Sequence, residues 1–304
     1  MEHRDGSGTF SHPKSPETSV KEPLLYIRAA DTSCVLFVDA SPVQLNLTRA
    51  PRYGNEKEFE FRREQLEQRR FEIYATIDAL KKLSVDGDRG GLSAIDDTEV
   101  DWSDFRGKIG FDTLQLTGHS FGAATLFSLL SHEPTEGFAP LPVTHALFLD
   151  PWLEPFEKLG PVQASKNAQV KKIVLHSETF TLWREHMAQM VEVAEDWGHI
   201  PIYTIGMIFS VDILRFISSS PRHLARAIHQ SFSDYIVILP RLLVGREVEL
   251  LQKISELSVA FLDDRMEDTL VHSVTRKMRV ETVKTRRGKE KRRLIAKPGD
   301  IIIH

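Results

Sequence analysis

Cys34 is the sole cysteine among 304 residues, so no disulfide can close within the chain and no thiolate cluster can hold zinc. Long apolar runs are missing as well. The richest stretch, 201–218, is broken by Asp212 and Arg215, which excludes a membrane-spanning helix of about 20 apolar residues there. The opening Met1-Glu2-His3-Arg4-Asp5-Gly6 has no basic leader ahead of an apolar stretch. It therefore reads as lacking a signal peptide, with the protein in the cytoplasm and the Asn46-Leu47-Thr48 sequon idle. No P-loop, Gly-rich dinucleotide fingerprint or His pair with a third ligand occurs, so no cofactor and no metal are expected. The 17 Gly and 15 Pro follow no period, which excludes a collagen-like chain.

The sequence does have apolar substance. With 41% hydrophobic and 27% charged positions it can bury a core as one large or two small domains. The net charge of −4 hides an asymmetry. Residues 276–293 hold ten Lys or Arg against Glu281 and Glu290, leaving 29 basic and 41 acidic residues elsewhere, a net of −12. A basic segment on an acidic body suits anionic lipid or nucleic acid. Without an aromatic residue for base stacking, nucleic acid is not expected, and the bland reading is a solvated tail.

Residues 5–20 are rich in Gly, Ser, Pro and Thr and read as a loop. Cys34-Val35-Leu36-Phe37-Val38 is a candidate strand. From Glu58 to Leu83 strong helix formers carry Leu66, Ile73, Ile77 and Leu80 at helical spacing, which predicts a long helix. The acidic, Gly-bearing stretch from Ser84 to Gly107 reads as a surface loop. The middle then alternates short apolar runs with helix-compatible segments, the pattern of a parallel sheet with crossover helices. Its predicted strands are Thr113–Thr117, His145–Leu149 and Lys172–His176, and Ile202–Ile205 reads either as a fourth or as the start of a helix, given the apolar run continuing to Ile217.

Gly118-His119-Ser120-Phe121-Gly122 follows the first of these strands directly and runs into the small residues Ala123 and Ala124. A strand, G-x-S-x-G and then a helix form a nucleophile elbow, in which a strained turn lifts the serine into the open. Ser120 is the candidate nucleophile. A serine hydroxyl needs a histidine to take its proton and a carboxylate to orient that histidine. Asp150 ends the next strand on the same edge of the sheet and is the natural acid, with Glu178 at the end of the following strand as its rival. Twelve histidines compete for the base. His119 and His145 lie within the elbow and a strand, His186 in Trp183-Arg184-Glu185-His186 reads as structural or exposed, and spacing leaves His229 among several candidates. Trp152, Phe180 and Trp183 line an acyl pocket or simply fill the core.

Four segments taken together resemble one known family. They are Glu2-His3-Arg4-Asp5-Gly6-Ser7, the elbow through Thr125, Leu149-Asp150-Pro151-Trp152 and His229-Gln230-Ser231-Phe232-Ser233-Asp234, joined by the helix around Arg62-Arg63-Glu64-Gln65-Leu66. Their order and spacing resemble the intracellular and plasma type of platelet-activating factor acetylhydrolase over most of the chain. The resemblance implies an α/β fold of the α/β-hydrolase type, a mostly parallel sheet flanked by helices. It carries the triad over to Ser120, Asp150 and His229. It also implies calcium-independent hydrolysis of short or oxidised sn-2 acyl groups of phospholipids, met at a membrane surface, with no dedicated protein partner.

In that family the Glu-His-Arg-Asp motif lies well inside the domain. The resemblance therefore implies that the early strands and one oxyanion-hole turn are missing, leaving the Phe121 backbone N–H as the expected oxyanion donor. The stretch from Gly206 to Ile228 exceeds the family's connection. It reads as a membrane-contacting lid or an insertion whose apolar residues pack in a core. The expected organisation is one domain over 1–275 and a basic tail over 276–304. Two other functions fit the same residues: a general carboxylesterase or lipase, and a non-catalytic truncated homologue that binds lipid or a partner.

Overall fold

A computed structural model describes residues 25–26, 37–38, 56–87, 101–156, 169–205, 232, 247–284, 290–296 and 300–304. The chain divides into two units, Met1–Glu58 and Phe59–His304. In the first, β1 (Leu25–Tyr26) pairs antiparallel with β2 (Phe37–Val38), so only the end of the candidate strand at 34–38 is realised.

The second unit is built on a six-stranded sheet. Strands β3 (Leu114–His119), β4 (Val143–Leu149), β5 (Lys171–His176) and β6 (Ile202–Ile205) lie side by side and parallel, in sequence order. The first three coincide with predicted strands to within two residues, and Ile202–Ile205 is a strand rather than the start of a helix. Parallel neighbours require a crossover. Helix α2 (Phe121–Ser131) joins β3 to β4, while α3 (Glu178–Leu182) and α4 (Arg184–Asp196) join β5 to β6.

Apolar residues line both faces of the central strands, as a sheet covered on two sides demands. On one face Ala146, Phe148, Val174 and Ile202 pack with Phe127 and Leu130 of α2 and Met190 and Val193 of α4. Phe127 stacks on Phe148 with ring centroids 4.0 Å apart. On the other face Leu147, Leu149, Ile173 and Leu175 meet Leu250, Ile254 and Leu257 of α5 (Glu247–Leu262). This three-layer sandwich of mostly parallel strands and flanking helices has the architecture expected of an α/β hydrolase.

The predicted helix at 58–83 extends over α1 (Glu56–Asp86), burying Leu66, Tyr74 and Leu83. The surface loop expected after it holds a 3₁₀ turn at Trp102–Phe105, capped by the Asp101 carboxylate, which accepts from Ser103 N–H. No helix of the described residues is long and apolar enough to cross a membrane.

The segment 276–304 is expected as a solvated basic tail, but its described residues, 276–284, 290–296 and 300–304, are folded into the unit. After the short helix α6 (Met266–Val271), β7 (Thr275–Lys277) enters the sheet, and β8 (Val280–Lys284) and β9 (Glu290–Leu294) form an antiparallel hairpin. Strand β10 (Ile301–Ile303) then inserts between β6 and β7, antiparallel to the first and parallel to the second. The physical reason is its apolar content. Ile301 and Ile302 are almost wholly buried, and a strand edge at β6 would otherwise stand unpaired.

Candidate active site

The carboxyl ends of β3, β4 and β5 are consecutive in the sheet, and the residue after each faces the same edge. Ser120 follows β3 with φ 56° and ψ −119°, a backbone region that residues with a Cβ rarely enter. Such strain persists only where neighbours impose it. Ser120 N–H donates to the Leu149 carbonyl at 2.9 Å, and its own carbonyl accepts from Ala124 N–H at 3.1 Å and Trp152 N–H at 3.2 Å. The elbow is thereby tied both to the helix it starts and to the end of β4.

The first glycine of the elbow is dictated by space. A Cβ on Gly118 would lie 2.5 Å from the Gly122 carbonyl oxygen and 2.7 Å from Ala123 N, both backbone atoms of the first turn of α2. Strand and helix can approach this closely only without that side chain. Phe121 opens α2, so its N–H has no helical carbonyl four residues back to bond.

Asp150 also has a left-handed backbone, φ 43°, and is fully buried. Its N–H donates to the Leu175 carbonyl at 2.9 Å, and its Oδ1 accepts from Ser177 N–H at 2.7 Å. The carboxylate is thus clamped across the end of β5. His186 supports the same turn from below. Buried on α4, it lies with Nε2 2.7 Å from the Pro151 carbonyl, the donor position of the ring, in keeping with a structural reading. Glu178, the rival acid, is buried in the first turn of α3, where its Oε1 accepts from Leu294 N–H of β9 at 3.1 Å.

His229 lies outside the described residues, as does the stretch from Gly206 to Ile228. Phe232, three positions beyond His229, is described. Its ring stacks on His119 at 5.7 Å, beside the elbow.

An aromatic wall flanks Ser120. Phe121 and Trp152 lie 5.8 Å apart and pack with Leu66 of α1, with Trp183 against them. Trp183 in turn stacks on His186 at 5.0 Å, and Phe180 meets the same imidazole edge-on at 4.9 Å. The guanidinium of Arg69 stands 4.8 Å from the Phe121 ring, and that of Arg62 lies 5.6 Å from the rings of both Phe121 and Trp152. Sequence reasoning named Arg62 only as part of the family-like helix and passed over Arg69, although their spacing of seven residues along a helix puts them on one face. It also missed the Ser177 clamp, whose signal was a Ser-Glu pair after a strand, a helix-capping start.

His176, at the end of β5, is fully buried, and neither ring nitrogen has a hydrogen-bond partner among the described residues. Burial, with His186 and His304 nearby, holds its pKa well below the ordinary imidazole range.

A nucleophile elbow, a clamped carboxylate on the adjoining strand end and an aromatic wall are parts that acyl-transfer hydrolases use. A search of the curated proteins finds no match. The family model for platelet-activating factor acetylhydrolase, isoform II, matches residues 1–268, most of the chain, and with this fold beneath it the chain belongs to that family of hydrolases.

Proposed function

We propose that the protein is a serine esterase that removes the sn-2 acetyl or short acyl group of platelet-activating factor-like phospholipids through an acyl-enzyme. The observation that carries this reading is Ser120 held at φ 56° and ψ −119° between β3 and α2, with Asp150 clamped at the neighbouring strand end. In the proposed mechanism His229 accepts the Ser120 proton while Asp150 fixes its tautomer and stabilises the imidazolium. Ser120 Oγ attacks the ester carbonyl carbon, and the oxyanion accepts from Phe121 N–H. Collapse breaks the carbonyl–oxygen bond to the glycerol, whose oxygen takes the proton from His229 and leaves as a lysophospholipid. Water then gives a proton to His229 and attacks the acyl-enzyme, releasing acetate and returning the proton to Ser120. No metal or cofactor enters any step.

The test is labelling of the 304-residue chain with a fluorophosphonate, beside turnover of sn-2 acetyl and long-chain phospholipids. Ser120→Ala should abolish both labelling and acetyl hydrolysis without lowering the melting temperature. Asp150→Asn should cut turnover by about 10⁴, as loss of the orienting carboxylate does in such triads. Retained turnover in Ser120→Ala would overturn the assignment.

A further inference from the structure

The basic segment absent from the family match has a structural place beside the candidate active site. The family model ends at residue 268, and the β8–β9 hairpin lies beyond it. One face of the hairpin is a packing face: Val280, Leu294 and Ala296 cluster with Ile302 and with Leu182 of α3. Two further contacts fasten it to α3. Leu294 N–H donates to the buried Glu178 carboxylate at 3.1 Å, and an Arg292 guanidinium nitrogen approaches the Leu182 carbonyl at 3.5 Å. Helix α3 begins directly after Ser177, whose N–H holds Asp150. The hairpin therefore stands at the end of the sheet that carries Ser120 and Asp150.

The charge on this element exceeds what its own structure uses. Arg276 pairs with Asp300, and Arg293 with Glu281. Lys277, Arg279 and Lys284 are exposed and form no ion pair among the described residues. At the end of the ribbon where Lys277 and Arg279 lie, two apolar side chains stand out. Ile295 N–H donates to the Arg279 carbonyl at 2.8 Å, and both Ile295 and Met278, the residue before Arg279, are exposed, at 45% and 38%. Cations around exposed apolar residues suit a bilayer interface, where ammonium and guanidinium groups meet anionic headgroups and the apolar groups enter below them. The remainder of the chain, at a net −12, is repelled by the same surface. The basic segment is therefore the part of the chain that an anionic bilayer attracts, over a range of about 10 Å at 0.1 M salt. The segment 269–304 contains no Phe, Tyr or Trp, which argues against single-stranded nucleic acid as the partner.

We infer that the β8–β9 hairpin, with Lys277 and Arg279 at its base, is a docking element for anionic lipid bilayers that brings the Ser120 edge of the sheet to the membrane. This goes beyond the proposed esterase activity and does not require it. The test is co-sedimentation of the full chain carrying Ser120→Ala with vesicles of phosphatidylcholine alone and of phosphatidylcholine mixed with phosphatidylserine. Binding to the mixed vesicles alone is expected, falling steeply as salt is raised. Replacing the three exposed cations together (K277Q, R279Q, K284Q) should weaken it roughly fivefold per charge, about a hundredfold in all. The charge-conserving set K277R, R279K and K284R should bind as the parent does. Circular-dichroism melting checks that each variant folds, and if the neutralised protein does not, the salt dependence of the parent decides. Equal partition onto both vesicles, no binding by the parent, or undiminished binding by the folded neutral variant would overturn the inference. So would retention on a single-stranded RNA oligonucleotide at a salt concentration that releases the vesicles. Because every arm uses a chain lacking Ser120, failure of the esterase reading leaves this result interpretable.

Discussion

Ser120 and Asp150 share a property that residues with side chains seldom have, positive φ, and each is held by main-chain bonds to the next strand along. The sequence made the elbow legible, because G-x-S-x-G after an apolar run has a specific steric meaning. It made Asp150 legible as a strand-end carboxylate. The Ser177-Glu178 pair signals the helix start whose first N–H fixes that carboxylate, but not that the N–H would point at Asp150. Nor did it foreshadow the burial of His176, which reads as one more histidine among twelve.

His176 yields a stability prediction at this same scale. Its ring is fully buried and neutral in the folded protein, whereas in the unfolded chain it titrates near the free value of about 6.5. Between that value and the depressed folded one, the unfolded state binds more protons. Stability contributed by keeping this ring neutral is therefore complete above about pH 6.5 and falls as pH drops below it. His176→Leu removes two polar atoms that have no partner among the described residues, together with this proton uptake. The variant should be as stable as the parent or more so at pH 7.5, by about 1 kcal/mol. On moving to pH 5.5 its urea midpoint should fall less than that of the parent. A steeper loss in the variant would mean that the imidazole is satisfied or charged in the native state.

At the level of elements, β3 and α2 meet at a separation set by Gly118. A Cβ there would collide with backbone of the first helical turn, which no side-chain rotation can relieve. Gly118→Ala should cost about 1–3 kcal/mol in urea unfolding, as overpacked sites do, and should displace the turn that presents Ser120. Fluorophosphonate labelling should consequently slow even in protein that remains folded; unchanged stability and labelling would show that the turn can shift freely. The first three parallel strands were readable because strands covered on both faces appear as short apolar runs bounded by turns. Helix α1 was readable from helix formers at regular spacing. The hairpin was not. The exposed face of an edge ribbon carries the same Lys and Arg residues as a solvated tail, and only Val280, Leu294 and Ala296 mark its packing face.

For the molecule as a whole, the least legible feature is the return of the chain to its own sheet at β10. Ile301 pairs with Ile205 across almost a hundred residues of sequence, and Ile301-Ile302-Ile303 resembles any short apolar run until the strand edge at β6 is known. Such a pairing pays the entropy of closing a long loop before its contacts form, and local sequence pattern carries no information about it. The division expected at residue 275 can be tested on this point. Full burial of an Ile side chain is worth about 1.5–3 kcal/mol, so losing Ile301 and Ile302 alone removes roughly 3–6 kcal/mol, a large share of the 5–15 typical of a domain. Ending the chain at Thr275 also strips β6 of its neighbour and leaves an apolar edge open to other molecules. The truncated protein should lose its cooperative thermal transition or aggregate, even though every residue matched by the family model is still present. A melting temperature equal to that of the full chain would instead make 276–304 a dispensable appendage, with the β6 edge tolerating exposure.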